Sequence, residues 1–349
     1  MGNSRKSTGP LAGMLWICLS VVGIDSASAD IPAAERQALL DLYASTNGDG
    51  WTDNSGWGGA PGTECTWYGV ACDKPGSHVV SISLGSNNLS GTLPDLTALT
   101  QLRTLVVRFN AITGALPPLN DFAQLEIFNG DSCAFTGSIP TPGPALVSFR
   151  AQWSELTGII PPLAESTELT EFEASHNNLS GSLPVLPTQI RYFAAWDNQL
   201  TGHIPPLQGS PGLQVFDVGN NQLGGMIPPL AGLSELNVFR AADNNLHGGI
   251  PALTGLTSLG RLLLENNQLT GPLPAVAHLT GLEYLQIHNN RLTGPLPPPP
   301  QPTNLVTAIL CPNHFDPIDS AEWDALVGFP PWHMGCTPLP DLVFANGFD

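Results

Sequence analysis

One motif recurs along the middle of the chain at an almost constant interval. Its first copy spans residues 82–94 and reads Ile-x-Leu-x-x-Asn-x-Leu-x-Gly-x-Leu-Pro, and its tenth spans residues 285–297. The interval is 23 residues, with two intervals of 21, and a truncated eleventh copy ends at Asn313. Such a period predicts small units that bury apolar side chains only by stacking on their neighbours, so we expect one elongated solenoid. The position of the motif's asparagine, called the ladder position below, is held in order by Asn87, Asn110, Cys133, Ser154, Asn177, Asn198, Asn221, Asn244, Asn267 and Asn290.

Each residue type in the motif has a structural reason. The two apolar residues ahead of the ladder position alternate, so both point inward from a short strand. The ladder asparagine turns inside the following bend and bonds backbone groups that would otherwise lack partners. The glycine permits the next bend. Ser154 replaces part of this bonding and Cys133 does so weakly as a small buried thiol, which predicts a free, structural Cys133.

The composition agrees with a repeat fold and excludes some partners. Charged residues make up 11% of the chain, while 37 Gly and 34 Pro residues supply turns for many short strands. A hydrophobic content of 42% is too high for a disordered chain. The net charge of -18 repels phosphate, so neither nucleic acid nor an anionic membrane is an expected partner.

The N-terminal segment has the pattern of an export signal. Arg5 and Lys6 precede an apolar stretch at 11–24, and Ala-Ser-Ala follows at 27–29. We therefore expect a secreted or cell-surface protein, and no later stretch predicts a membrane span. The predicted organisation is a signal peptide at 1–29, an N-terminal cap at 30–78, repeats at 79–315, a C-terminal cap at 316–340 and a tail at 341–349.

Export changes the interpretation of the cysteines, because cysteines of secreted proteins usually pair. Four of them form two local couples at the ends of the repeat region. The sequence therefore predicts disulfides between Cys65 and Cys72 and between Cys311 and Cys336.

The repeat and its N-terminal flank resemble the plant-type leucine-rich repeat proteins. The repeats carry the LxGxIP ending of that family. The flank adds a helical segment at 35–43, then Trp51 and Trp57, then Cys-x-Trp-x-Gly-Val-x-Cys at 65–72. The family includes receptor-kinase ectodomains and polygalacturonase-inhibiting proteins. The resemblance implies a right-handed leucine-rich-repeat superhelix with a concave parallel sheet, ten to eleven repeats and a cap at each end. Residues 342–349 resemble short C-terminal tails of some exported proteobacterial proteins, which favours a bacterial secreted source.

No sequence motif indicates catalysis or a cofactor. The chain lacks HExxH, P-loop, GxSxG and dinucleotide-binding patterns, and its eight histidines occupy unrelated repeat positions. The segment 47–53 departs from a calcium loop because Trp51 replaces an oxygen ligand, so we interpret it as a turn of the cap. We therefore predict a non-enzymatic protein without cofactor or metal. Asn88 and Asn178 lie in glycosylation sequons, which matter in a eukaryotic source.

The predicted concave face is enriched in chemically active side chains. Arginine is over-represented there, and two interpretations remain open: contact with a ligand, or pairing between neighbouring repeats, which lie about 4.8 Å apart. The second predicts Arg108 with Asp131, Arg150 with Glu173, Arg240 with Asp217, and Arg261 stacked on Tyr284. The remaining outward aromatic and acidic residues are Phe109, Trp153, Tyr192, Trp196, Glu171, Asp197, Asp243 and Glu265.

Trp153 and Trp196 stand out within this face, with His176 on the repeat between them. Large exposed aromatics near the centre of a concavity favour ligand binding. The alternative is that they fill space beside the two shortened repeats. The predicted ligand-binding residues are Trp153, His176, Tyr192, Trp196, Arg150, Glu173, Asp217 and Arg240.

These observations favour a monomeric, secreted recognition protein that binds a protein or polysaccharide on its concave face. Two alternatives remain. One is an extracellular inhibitor of a cell-wall hydrolase, and the other is an adhesive or structural surface repeat without one defined ligand.

Overall fold

The computed structural model describes residues 30–316 and 322–323 of the chain. It is a β-solenoid in which each repeat adds one short strand to a long sheet, called the concave sheet below. Its first two strands pair antiparallel and all later neighbours pair parallel and in register. The twelve strands are, in order, Val70–Cys72, Val79–Ser83, Thr104–Val106, Ile127–Asn129, Ser148–Arg150, Glu171–Glu173, Tyr192–Ala194, Val215–Asp217, Val238–Arg240, Arg261–Leu263, Tyr284–Gln286 and Thr307–Ile309.

A second set of strands follows the ladder position of each repeat and forms two shorter parallel sheets. The first has six strands and the second has four, and a single bridge between His203 and Gly224 continues the row between them. The six are Ser90–Thr92, Ala111–Ala115, Ala134–Gly137, Glu155–Gly158, Asn178–Ser182 and Gln199–Thr201; the four are His247–Gly248, Gln268–Gly271, Arg291–Gly294 and His314–Phe315.

The inward residue at the centre of each concave strand builds the core. In six consecutive repeats this residue is a phenylalanine, fully buried, and each ring stacks on the next at centroid distances of 5.1 to 5.7 Å. A continuous aromatic column, called the phenylalanine column, therefore runs along the middle of the solenoid. Its members are Phe128, Phe149, Phe172, Phe193, Phe216 and Phe239.

The ladder residues bond the bends of successive repeats together, as the motif predicts. The amide nitrogen of Asn221 donates to the carbonyl oxygens of Ala195, Val218 and Gly219 at 3.0 to 3.1 Å. Its side-chain oxygen accepts from the backbone nitrogen of Leu200 at 2.9 Å. One asparagine thus satisfies donors and acceptors of three segments.

The two substituted ladder positions keep part of this bonding. The Cys133 thiol is buried and donates to the carbonyl of Val107 at 3.3 Å, and Ser154 Oγ donates to the carbonyl of Cys133 at 3.0 Å. Burial raises the pKa of Cys133 to about 11, which keeps the thiol protonated and unreactive at neutral pH. Cys133 is free, in agreement with the sequence prediction.

The N-terminal cap closes the first end of the core. Its helix, Ala33–Ser45, is followed by short 3₁₀ turns at Gly48–Gly50 and Glu64–Thr66; a third such turn, Leu119–Asp121, lies within the repeats. The buried Glu35 accepts from the backbone nitrogen of Val79 at 2.7 Å, which ties the helix to the first repeat. The predicted disulfide between Cys65 and Cys72 is present.

The second predicted disulfide joins Cys311 to Cys336, and Cys336 lies outside the described residues, as do the export signal, most of the C-terminal cap and the tail. Within the described part of the chain, no helix combines the length and the apolar character that a membrane crossing requires.

Candidate functional site

Four outward positions of each repeat form parallel columns on the concave face. They lie six, four, two and one residues ahead of the ladder position. Because the strands pair in register, residues of one column in adjacent repeats are direct neighbours, about 4.8 Å apart. The candidate site is built from side chains of these columns in the central repeats.

The column directly ahead of the ladder position has an unusual backbone. All ten of its residues adopt left-handed conformations with φ between 49° and 57°. Asn, Asp and His tolerate this region far better than bulky residues do. Most occupants fit that rule, whereas Phe109 and Trp153 do not. The full column is Ser86, Phe109, Ser132, Trp153, His176, Asp197, Asn220, Asp243, Asn266 and Asn289.

Phe109 and Trp153 therefore combine two unfavourable features. A left-handed conformation costs a residue with a Cβ about 1–2 kcal/mol, and both side chains are largely exposed, at 54% and 56% of their surface. Neither contributes a buried aromatic ring to the core. Strained conformations and exposed aromatics both concentrate at binding surfaces.

An aromatic cluster extends from Trp153 across the next two repeats. The His176 ring stacks on Trp153 with centroids 3.3 Å apart and meets Trp196 edge-on at 4.3 Å. His176 Nδ1 bonds Asp197 Oδ2 at 2.8 Å, which fixes the orientation of the imidazole. The structure thus joins three of the predicted ligand-binding residues in one cluster, while the fourth predicted aromatic, Tyr192, bonds Glu173 instead.

Trp196 is half-buried because glycine follows it in its column. A Cβ at Gly219 would lie 2.8 Å from Trp196 Cδ1 and 3.1 Å from Arg240 Nε, so the indole and the guanidinium both occupy space above that glycine. The guanidinium carbon of Arg240 lies 4.6 Å from the Trp196 ring centroid, a cation–π contact. Packing explains much of Trp196, whereas it does not explain Trp153.

The arginine pairing predicted from the sequence is correct for two of four arginines. Arg240 approaches Asp217 at 3.5 Å, and Arg261 lies over the Tyr284 ring at 4.8 Å. The predicted pair of Arg150 with Glu173 is wrong: Arg150 Nε bonds Asp131 at 3.0 Å and its terminal nitrogen bonds Glu171 at 2.7 Å.

The predicted pair of Arg108 with Asp131 is also wrong. Asp131 is buried, and its carboxylate forms an ion pair with Arg150 and accepts a hydrogen bond from the backbone nitrogen of Gln152. The Arg108 side chain instead lies toward Gly85 in the preceding repeat, with its guanidinium 5.5 Å from the Phe109 ring centroid. Among the described residues it makes no ion pair.

Glu173 is buried, and a tyrosine hydroxyl provides a hydrogen bond to its carboxylate. The Tyr192 hydroxyl donates to Glu173 Oε2 at 2.8 Å, and the backbone nitrogen of Ser175 donates to Oε1 at 3.1 Å. Burial, together with the charge of Glu173, raises the pKa of Tyr192 far above its usual range. Tyr192 is thus a neutral donor that anchors this carboxylate.

The sixth to tenth repeats hold buried polar atoms without partners, and of their residues only His288 is missing from the sequence predictions. Four buried side-chain atoms lack a hydrogen-bond partner in the described part of the chain, and all lie on this face. Burial raises the pKa of Asp217 and of Glu265 and lowers that of His288. The described residues contain no group of three or more potential ligands suited to a metal ion. The four unpartnered atoms are Trp196 Nε1, Arg240 Nε, Glu265 Oε2 and His288 Nδ1.

We expect Glu265→Gln to stabilise the fold at neutral pH by about 0.5 kcal/mol. The pKa of Glu265 is raised in the folded state by burial and by the charges of Asp243 and Asp217, despite the opposing charge of Arg240. Its contribution to stability is therefore complete below the ordinary pKa and is lost as the pH rises through the folded pKa. Glutamine does not ionise, so the variant keeps its stability as the pH rises.

Urea melts of both proteins at about pH 7 and about pH 4 check this prediction. The gain should be present at the higher pH and much smaller at the lower, where Glu265 is mostly protonated in both states. A gain of equal size at both values would show that the carboxylate charge is not the cause.

Comparison with known proteins agrees with this architecture. The family model of the leucine rich repeat N-terminal domain matches residues 32–73, and that of the Leucine Rich Repeat matches residues 281–302. A solved TDR receptor is 28% identical, with a TM-score of 0.62 over 68% of this chain and 44% of that chain. The N-terminal cap and one of the repeats thus match models of the leucine-rich repeat, and the fold resembles this solved receptor.

The chain carries leucine-rich repeats and is similar to plant-type leucine-rich repeat proteins.

Two further similar proteins are plant receptor kinases, and this chain matches only part of each. The ectodomain of the Arabidopsis receptor kinase HAESA, solved with an IDA peptide hormone ligand, is 25% identical, with a TM-score of 0.54 over 80% of this leucine-rich repeat protein and 57% of that chain. Receptor protein kinase WSS1 of Oryza sativa subsp. japonica is 29% identical over 114 residues, which are 32% of this chain and 11% of WSS1. The leucine-rich repeat protein spans only 5 to 12% of the length of the curated relatives it matches.

Proposed function

We propose that this leucine-rich repeat protein is an extracellular, non-catalytic recognition protein whose concave face binds a peptide or protein ligand. The observation that carries the proposal is Trp153: an indole that is more than half exposed, held in a left-handed backbone conformation, at the centre of the repeat array. A protein that needed this position only for folding would be more stable with Asn or Ser, which neighbouring repeats use.

The chemistry of the face supports binding rather than catalysis. The acidic groups of the central repeats are committed to fixed partners: Asp131 and Glu171 to Arg150, and Asp197 to His176. Groups held in this way position the aromatic rings and define the charge of the surface. The HAESA ectodomain, which shares the fold, holds a peptide hormone, and this favours a peptide over a polysaccharide.

Two tryptophan variants test the proposal. Wild-type protein and the Trp153→Asn and Trp196→Ala variants are immobilised, and bound material from extracellular extracts is compared by mass spectrometry. Binding energy concentrates in a few aromatic anchors, so each variant should weaken capture of the specific ligand by about 2 kcal/mol, roughly thirtyfold. Met226→Ser is the matched control, because Met226 is 66% exposed but lies beyond the ladder position, outside the concave sheet.

Melting curves of the same proteins separate binding from folding. Trp153→Asn should change the free energy of unfolding by less than about 1 kcal/mol, since the ring stack it loses is offset by relief of backbone strain. Full capture by both tryptophan variants would refute the proposed site. Capture of a cell-wall hydrolase, or of polysaccharide alone, would favour the inhibitor or the adhesive interpretation instead.

A further inference from the structure

Aromatic side chains occupy alternate repeats of the concave face. Phe109 lies on the second repeat, Trp153 on the fourth and Trp196 on the sixth. Backbone hydrogen bonds connect the intervening turns in register: the nitrogen of Phe109 donates to Asp131 and that of Ser132 donates to Gln152, each at 2.8 Å. Since adjacent strands are about 4.8 Å apart, successive aromatics lie about 9.6 Å apart along the solenoid.

Only one small side chain separates the first two aromatics in their column. Ser132, with a small side chain, is the only residue of their column between Phe109 and Trp153. His176 covers the Trp153 face that points to the next repeat, so the opposite face of the indole is turned toward Ser132. Two exposed rings thus lie on either side of a small polar residue.

The interval between the rings matches one regular peptide conformation. A polyproline II helix has three residues per turn and rises about 3.1 Å per residue, so residues three apart lie on one face about 9.3 Å apart. The mismatch to the aromatic interval is about 0.3 Å per turn. An extended β-strand, which rises about 3.3 Å per residue and repeats every second residue, does not give this interval.

We propose that the concave face binds a polyproline II peptide with proline at every third position, its pyrrolidine rings packed against Phe109 and Trp153. This inference rests on the proposed function and names the class of its ligand. Aromatic grooves bind such peptides because the helix is already ordered before binding and loses little conformational entropy. Trp196, edge-on to His176 and covered by Arg240, ends the track.

Charge selects the residues between the prolines. In the second to sixth repeats the outward columns hold four carboxylates, those of Asp131, Glu171, Glu173 and Asp197, against the two guanidinium groups of Arg108 and Arg150. The whole chain has a net charge of -18. Basic side chains at the intervening positions of the peptide complement this surface.

The chain's own proline-rich stretch is not the occupant. Residues 297–300 are four consecutive prolines, but Pro299 and Pro300 are buried in the last repeats. A second copy therefore cannot present them as one exposed face, and the ligand is a separate peptide.

A binding titration tests the proposal with a fluorescent, end-blocked peptide of Pro-Lys-Ser repeats, about 15 residues long, enough for five turns. The control peptide has the same composition, rearranged so that no two prolines are three residues apart. Wild type should bind the repeat peptide about tenfold or more tightly than the control. Phe109→Ser and Trp153→Asn, which insert residues found elsewhere in the same column, should each weaken binding about tenfold or more, whereas Met226→Ser should not.

Equal affinity for the two peptides, or affinity unchanged in both aromatic variants, would overturn the inference. Binding of cello-oligosaccharides that is lost with Trp153→Asn, without peptide binding, would also overturn it while leaving the concave face as the binding site. Failure of the proposed function has a different signature, which is capture from extracts that neither tryptophan variant reduces.

Discussion

Phe193→Ala should lower the free energy of unfolding by about 3–5 kcal/mol, the usual cost of removing a buried phenylalanine ring. Phe193 is fully buried and stacks on Phe172 at 5.4 Å and on Phe216 at 5.7 Å. Its removal loses the transfer energy of the ring and two stacking contacts, and it leaves a cavity between repeats. Urea denaturation followed by circular dichroism measures the effect.

Phe109→Ser is the control for this substitution, because Phe109 is exposed and strained rather than buried. It should change stability by less than about 1 kcal/mol. Since a repeat protein is a linear array of units coupled through their interfaces, Phe193→Ala should also broaden or split the transition. Similar losses for the two phenylalanine variants would mean that the phenylalanine column does not carry the core.

Asn221→Ala should cost about 1–3 kcal/mol, since it leaves several buried backbone groups without partners. The side chain donates to three carbonyls and accepts from one backbone nitrogen. Its neighbour Asn220 points to the concave surface and bonds only the exposed side chain of Asp197 among the described contacts. Asn220→Ala should therefore cost under about 0.5 kcal/mol.

This pair of adjacent asparagines tests the register of the whole face. The same urea melts apply to both variants. If Asn220→Ala and Asn221→Ala were equally destabilising, the inward and outward positions would be shifted by one residue. Every assignment to the concave columns would then be wrong.

The sequence predicts the backbone architecture because the repeat enforces it. Each ladder residue from Asn87 to Asn290 occupies the same bend, which fixes the register of the strand ahead of it. The alternation of side chains along that strand then assigns the inward and outward positions. The disulfide between Cys65 and Cys72 follows from local spacing and is present. The phenylalanine column is not among the sequence predictions, although its six members share one offset from the ladder position.

Side-chain partners are harder to predict, as the arginines show. Column adjacency suggested Glu173 for Arg150, but a flexible guanidinium reaches diagonally to Asp131 and Glu171, while Tyr192 takes Glu173. The backbone strain at Phe109 and Trp153 could not be predicted either, because a sequence motif does not specify the φ angles of its variable positions. The unpartnered atoms of Glu265 and His288 depend on rotamers and burial together.

Hydroxyl-radical footprinting of the protein with and without its captured ligand tests the central claim most directly. Trp153 is reactive and more than half exposed, and Met226, exposed to a similar degree outside the concave sheet, is an internal reference in the same sample. The account predicts that the ligand suppresses oxidation of Trp153 and leaves that of Met226 unchanged. Unchanged oxidation of Trp153, with protection near Asn88 or Asn178 instead, would contradict a binding site on the concave face.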